Sequence, residues 1–231
     1  MSSDSIAFSS VTEDDFDDIV GLAAEAWYSP AGCGNLAEGQ LADVDLTDEE
    51  RTRIAKLLAA DETAAYLAEM TWGCKATLNG RTVGVVVTQG SSSPAAAERW
   101  TRLGLDARQA AEAELARIRG REERGTEPEE PIYLDEIRAT DEMREEAGLA
   151  EQPRVVLLVI GAGARGHGLG RRLLDQARAH FRRHGATRYW LVTDTDCDWP
   201  FYEHLGLVRL AERPSTVPGA PERYFVYGGK A

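Results

Sequence analysis

The sequence is poor in the residues that staple a chain, anchor it in lipid or charge it positively. Cysteine is scarce: Cys33, Cys74 and Cys197 are three in 231 residues, widely spaced and without a C-x-x-C pair. Neither a zinc site nor a redox dithiol is indicated, no metal is expected, and reduced, mostly buried thiols are the simplest reading. Long apolar runs are missing as well, and the longest, Val155 to Ile160, is far too short to span a bilayer. Met1 to Asp4 supply neither a basic nor an apolar leader region, so no secretory signal is expected and the cytoplasm is the default compartment. Positive charge is outnumbered, with 26 Lys and Arg against 39 Asp and Glu and a net charge of -13. Such a surface repels phosphate backbones and anionic lipid, which argues against nucleic-acid and membrane partners and suits cationic ligands. Solubility alone also accounts for an acidic surface.

What is present suffices for one sizeable core, with 43% hydrophobic residues. Ile6 to Phe8 reads as a short strand. Thr12, with Asp15 three residues on, reads as a helix start. Phe16, Ile19, Val20, Ala23 and Trp27 then recur at helical spacing. A loop is expected from Pro30 to Gly39. Thr47-Asp-Glu-Glu50 opens a second helix whose stripe is Ile54, Leu57, Leu58 and Tyr66. Asn79-Gly80 between two β-rich arms, Thr71 to Leu78 and Arg81 to Thr88, predicts a type I′ hairpin. The span 91–152 departs from this order: a helical stretch to Arg119, a run of charge, Gly and Pro from Arg121 to Pro131, then a charged helix to Gly148. It reads as a helical insertion in a smaller fold. Val155 to Ile160, apolar on both faces, reads as a central strand. A glycine-rich turn, a helix bearing Leu173, Leu174, Ala177 and Phe181, and a strand from Tyr189 to Thr193 follow. A helix from Trp199 to Leu205 ends at Gly206, and strands over Leu207–Leu210 and Tyr224–Tyr227 close the chain.

The glycine-rich turn spells two motifs. Gly161-Ala-Gly163-Ala-Arg-Gly166 is the G-x-G-x-x-G of dinucleotide sites. Arg165-Gly-His-Gly168-Leu-Gly170 is R-x-x-G-x-G. The first reading starts a helix near Gly163 and leaves Gly166, Gly168 and Gly170 inside it, at about 1 kcal/mol each. It also wants a ribose-binding acid about 20 residues on, whereas Asp194 is more distant, and too little chain follows to finish a doubly wound sheet. The second keeps the glycines in the loop and first turn, where bare amides meet an anion.

That second motif resembles the acyl-CoA loop of the GNAT superfamily of N-acetyltransferases. Phe201-Tyr-Glu-His-Leu-Gly206 stands where that family has F-Y-x-x-x-G, and the resemblance runs from about Val155 to Leu210. It implies one N-acetyltransferase domain over residues 1–231, with 91–152 inserted. It implies an α/β fold with a mixed, mostly antiparallel central sheet, splayed parallel strands and flanking helices. It implies transfer of an acetyl group from acetyl-CoA to a primary amine of a small molecule or peptide, through a tetrahedral intermediate, with a homodimer as the family expectation. Leu158, Val159 and Ile160 would pair with the pantetheine arm. Gly166, His167, Gly168, Leu169, Gly170 and Arg171, with Arg165 at the rim, would hold the pyrophosphate. Tyr202 would protonate the departing thiolate.

Two departures stand out. Thr195 occupies a position where many members have an asparagine contacting CoA; Cys197 or Asp198 is the expected substitute. No carboxylate lies on Val155–Ile160, and Trp190 stands where some members have a glutamate base. Asp194, Asp196, Glu136 or a water chain are the candidates for that role. The aspartates at 194, 196 and 198 with Glu203 suggest a cationic acceptor. A module that binds acyl-CoA without turnover is the competing class, and a nicotinamide-dependent oxidoreductase the third.

Overall fold

The computed structural model describes residues 5–28, 46–90, 94, 96–119, 132–218 and 220–231. The loops expected over 30–39 and 121–131, and Cys33, lie outside the described residues. Chain order gives β1 (Ala7–Ser10), α1 (Phe16–Trp27), α2 (Asp48–Ala68), β2 (Trp72–Leu78), β3 (Arg81–Gln89), α3 (Ala97–Arg119), α4 (Ile132–Glu146), β4 (Arg154–Ile160), α5 (Leu169–Arg183), β5 (Arg188–Asp194), α6 (Pro200–His204), β6 (Val208–Pro214) and β7 (Arg223–Lys230). The seven strands form one sheet in the order β1-β2-β3-β4-β5-β7-β6. Every neighbouring pair is antiparallel except β4–β5. This is the mixed α/β sheet the resemblance implied, and not the doubly wound parallel sheet of the dinucleotide reading.

Local signals explain most elements. Asn79 (φ 52) and Gly80 (φ 78) both take positive φ, as a type I′ turn demands, and they set the β2–β3 register. Thr47 accepts from the Glu50 amide at 3.3 Å while the Glu50 carboxylate accepts from the Thr47 amide at 3.1 Å, a complete capping box for α2. Thr12 caps the start of the first helical segment, as expected. It precedes a 3₁₀ turn, Glu13–Asp15, and its amide and hydroxyl both donate to Asp15 at 2.7 and 2.9 Å. Asp15 is buried and ion-paired with Lys75 of β2, so its carboxylate both completes the capping box and ties the helix entry to the sheet.

The helices divide between the two faces of the sheet. On one face α5 buries Leu169, Leu173, Leu174, Ala177 and Phe181 against Val86, Leu191, Phe225 and Tyr227. On the other, α1, α2 and α3 cover the β3–β4 half, with Ile19, Leu67 and Trp100 on Val85, Val87, Leu157 and Val159. Helix α4 covers the β5–β7–β6 half instead, through Ala139 and Met143 on Trp190, Tyr224 and Val226. Asp135 pins it there by accepting from the Ser215 hydroxyl (2.8 Å), the Thr216 amide (3.1 Å) and the Thr216 hydroxyl (2.6 Å). The two helix groups therefore flank the line along which β4 and β5 meet.

Candidate active site

The centre of the sheet is parted. β4 and β5 pair only at Arg154↔Trp190 and Val155↔Leu191, at their N-terminal ends. The register explains why. Val87 opposes Leu157 and Thr88 opposes Val155, so Val156 is an extra residue on β4. A bulge bends its strand and flips the side-chain alternation. Val155 accordingly packs on the α5 face, whereas Leu157 and Val159 pack on the α1 face. Beyond the bulge β4 stays with β3 as far as Ile160, while β5 follows β7 as far as Asp194. Leu158 and Ile160 are half-buried and Val159 is buried, so an incoming partner could use only the backbone of this edge.

The glycine-rich turn closes the wide end of the gap. A 3₁₀ turn, Ala162–Ala164, leads to Arg165, whose Nε donates to the Ile160 carbonyl at 3.1 Å. Gly166 (φ 77) and Gly168 (φ 70) take the left-handed region, and Gly168 is the N-cap of α5. A Cβ on either would meet no protein atom within 4 Å. These two glycines are thus fixed by backbone conformation and by what lies outside the protein, not by packing. The helix start leaves amide donors unpaired and carries partial positive charge, which fits a diphosphate. His167 and Arg171 are exposed, and Arg171 has no ion pair among the described residues. Arg172 is turned elsewhere, its guanidinium 4.8 Å from the centre of the Phe8 ring.

Two residues expected here act in another way. Leu169 is buried in the core, so only its amide reaches the mouth of the gap. Gly170 is small because of α6: a Cβ there would lie 3.0 Å from Phe201 Cζ. Gly170→Ala should therefore push Phe201, and with it the neighbouring Tyr202, out of place. The expected result is a loss of about 1–3 kcal/mol in stability, read by denaturant unfolding, with a fall in turnover beyond any change in KM for acetyl-CoA.

Tyr202 lies on α6, which follows the β5 end through the turn 195–199. Its ring packs near Tyr227, with centroids 5.9 Å apart, and against Phe201 at 5.2 Å. The hydroxyl makes no hydrogen bond among the described residues. Burial, followed by the nearby groups Cys197 and Asp198, raises its pKa well above the ordinary phenol value. It is a fixed, protonated donor at neutral pH. The turn itself is organised by Asp194, which accepts from the amides of Asp196 (2.8 Å) and Cys197 (3.1 Å). The Cys197 thiol donates to the same carboxylate at 3.7 Å, and Asp198 is exposed.

The far wall was only partly legible in the sequence. Glu136 of α4 and Tyr66 of α2 lie near Asp194, and Glu62 of α2 lies near Glu136. Glu62 accepts from the Tyr28 hydroxyl at 2.7 Å, and Tyr66 lies 6.0 Å from Trp27, centroid to centroid. All three acids are perturbed upward, first by burial. Glu136 is pushed up to about 7, with Asp194 adding to the rise and Arg154 opposing it. Glu62 is pushed up to about 7 against the Tyr28 hydrogen bond, with Glu136 and Asp61 adding to the rise. Asp194 rises to about 6 in spite of its amide hydrogen bonds. All three carboxylates are half-buried. Asp196 is exposed, which removes it from this wall. Sequence reasoning missed Glu62, although an acid at the i+4 position between Leu58 and Tyr66 on the apolar stripe was the available signal.

Raised carboxyl pKa values make a stability prediction. The folded state favours the neutral acid, so these groups cost nothing at low pH, and stability falls as pH rises from the unfolded value near 4 toward about 7. The double variant Glu62→Gln/Glu136→Gln should be more stable than wild type at pH 8 by ~1–3 kcal/mol, with the gap closing toward pH 4. Thermal unfolding across that range reads it, and equal stability at pH 8 would contradict the buried-acid assignment.

Among the described residues no group of three or more His, Cys, Asp or Glu is placed to hold a metal ion, and no helix is long and apolar enough to cross a membrane. Residues 113–207 match the Acetyltransferase (GNAT) family, a match that begins inside the span expected as an insertion. Among solved structures, an insect protein described as an arylalkylamine N-acetyltransferase, from the yellow fever mosquito, is similar with a TM-score of 0.60 and 12% identity, over 97% of this chain and 87% of that one. A Drosophila melanogaster polyamine N-acetyltransferase gives 0.55 and 12%, over 98% and 100%. The ribosomal-protein-S18-alanine N-acetyltransferase of Escherichia coli gives 0.50 and 13%, over 98% and 94%. No curated protein sequence matches the chain. Such low identities speak for the fold, and three neighbours with three different acceptors leave the acceptor to this chain's own residues. The family match over residues 113–207, the strand order and the parted parallel pair agree on an acetyltransferase fold of the GNAT type.

Proposed function

We propose that the protein transfers an acetyl group from acetyl-CoA to a primary amine, with the chain acting as one domain over residues 1–231 and the span 91–152 shaping the acceptor side. The observation that carries this reading is the hydroxyl of the half-buried Tyr202, without a hydrogen-bond partner among the described residues, beside the end of β5 where the sheet is open. The backbone of Leu158 to Ile160 offers a strand edge for the pantetheine arm, and the amides of Gly166 to Arg171 a cradle for the diphosphate. Acetyl-CoA supplies an activated thioester carbonyl and a thiolate leaving group. Tyr202 gives its proton as negative charge grows on sulfur. Its raised pKa is no obstacle, because the same desolvation penalises a bare thiolate beside it. The helix α5 N-terminus and the edge of β4 hold the reactants in place.

The reading is tested by incubating the protein with acetyl-CoA and a panel of primary amines while following thiol release. Amine-dependent release is expected. Tight CoA binding by calorimetry with no release across the panel would favour a sensor module instead.

A further inference from the structure

Helix α6 carries Tyr202, yet burial does little to hold it. It is five residues long and none of them is buried. Trp199 at its N-cap, Tyr202 and Leu205 only lean on the edge of the core. Its two ends are tied through the backbone. At the approach, the Thr195 amide donates to the Arg223 carbonyl at 3.0 Å, and the Thr195 hydroxyl accepts from the Arg223 amide at 3.3 Å. At the exit, the Leu207 amide donates to the Tyr202 carbonyl at 3.0 Å. Between those ends, Arg209 of β6 grips the helix. Its guanidinium carbon lies 5.0 Å from the centre of the Trp199 ring, 4.3 Å from Phe225 and 5.6 Å from Tyr227. Its Nη2 donates to Glu203, the residue after Tyr202, at 2.8 Å. Its Nε donates to the Tyr227 hydroxyl at 3.1 Å, and that hydroxyl donates on to the same Glu203 oxygen at 2.9 Å. Its Nη1 donates to Glu212 at 3.0 Å.

We infer that Arg209 is a positioning residue for the transfer: seated among three rings and bonded to Glu203 and Tyr227, it fixes α6 on β6 and β7 and so sets where the Tyr202 hydroxyl meets the departing sulfur. The inference rests on the acetyltransferase reading and adds to it a residue that touches neither reactant. A half-exposed ion pair alone contributes little. Arg209 does more, because its planar fork bonds several acceptors at once while its faces stack on aromatic rings. The Tyr227 ring in that cage is also the ring beside Tyr202, with centroids 5.9 Å apart. One side chain thus holds both the chain neighbour of Tyr202 and its packing neighbour. A reacting group displaced by about 1 Å can lose about 10²-fold in rate. The cofactor elements stand apart. Among the described residues, the hydrogen bonds and ring contacts of Arg209 all lie on β6, β7 and α6 with its N-cap.

Thiol release from acetyl-CoA with a primary amine tests this. Arg209→Ala should lower kcat at least ~tenfold. KM for acetyl-CoA and Kd for CoA should stay within about twofold of wild type, since the β4 edge and the turn 166–171 are untouched. In Tyr202→Phe protein the same substitution should change kcat by no more than about twofold, because a residue acting through the hydroxyl then has nothing left to position. Arg209→Lys keeps the charge but not the fork, and should recover part of kcat.

Equal proportional losses in the wild-type and Tyr202→Phe backgrounds would make Arg209 a stability residue only and overturn the inference. Wild-type kcat in Arg209→Ala, or a parallel loss of CoA affinity, would overturn it as well. Should Arg209→Ala fail to fold, Arg209→Lys measured in both backgrounds carries the comparison. A fluorine label on the Tyr202 ring reads its position without turnover. Its resonance in CoA-bound protein should move when Arg209 is replaced, and an unmoved resonance sinks the inference while leaving the acetyltransferase standing. Absence of thiol release by wild-type protein with every amine would instead bring down the underlying reading, a result that no Arg209 variant can mimic.

Discussion

Tyr202→Phe should lower kcat by roughly 10²-fold or more while leaving the fold and the affinity for CoA intact, since a general acid commonly contributes that much. The argument turns on how little else the hydroxyl does. The ring packs among Phe201 and Tyr227, a space phenylalanine fills equally well. The hydroxyl has no hydrogen-bond partner among the described residues, so its removal leaves none orphaned. Helix α6 keeps its anchors: Gly206 ends it at φ 81, and the Leu207 amide still donates to the Tyr202 carbonyl at 3.0 Å. Single-turnover thiol release measures the chemical step, and thermal unfolding checks the fold. A variant as fast as wild type would remove Tyr202 from the chemistry.

Gly168→Val should weaken acetyl-CoA binding by at least ~tenfold, the loss expected when charge-assisted amide contacts are displaced. The residue is the α5 N-cap at φ 70, a conformation that costs a β-branched residue about 1–3 kcal/mol. A side chain there finds no protein atom within 4 Å, so the fold can accept it. The space it takes is the space over the free amides. Direct titration with CoA reads the effect. Wild-type affinity in this variant would place the diphosphate elsewhere. The contrast with Gly170→Ala is informative, because that substitution strikes Phe201 rather than the cofactor and should show first in stability.

Some of this could be read from the chain before any coordinates. The Asn79-Gly80 hairpin, the capped start of α2 and the stripe Leu173, Leu174, Ala177, Phe181 are local signals, because turn chemistry and helical period act over a few residues. The two glycines at 166 and 168 were legible for the same reason. The Thr12–Asp15 helix start was legible too, whereas the ion pair of Asp15 with Lys75, sixty residues away, was not. The base was narrowed but not fixed, since Asp194, Asp196 and Glu136 look alike as letters. Exposure now separates Asp196 from the other two.

The sequence alone determined the order of elements, the glycine-rich turn and the tyrosine four residues before a helix-ending glycine, since each depends on neighbours in the chain. The tertiary structure decided where β4 leaves β5, because Val155 to Ile160 is apolar on both faces and a bulge at Val156 leaves no trace in such a run. It also decided that Glu62 and Glu136, seventy-four positions apart, come close enough for their charges to interact, as Glu136 does with Asp194. Burial and charge coupling depend on distance through space, and no spacing along the chain encodes that.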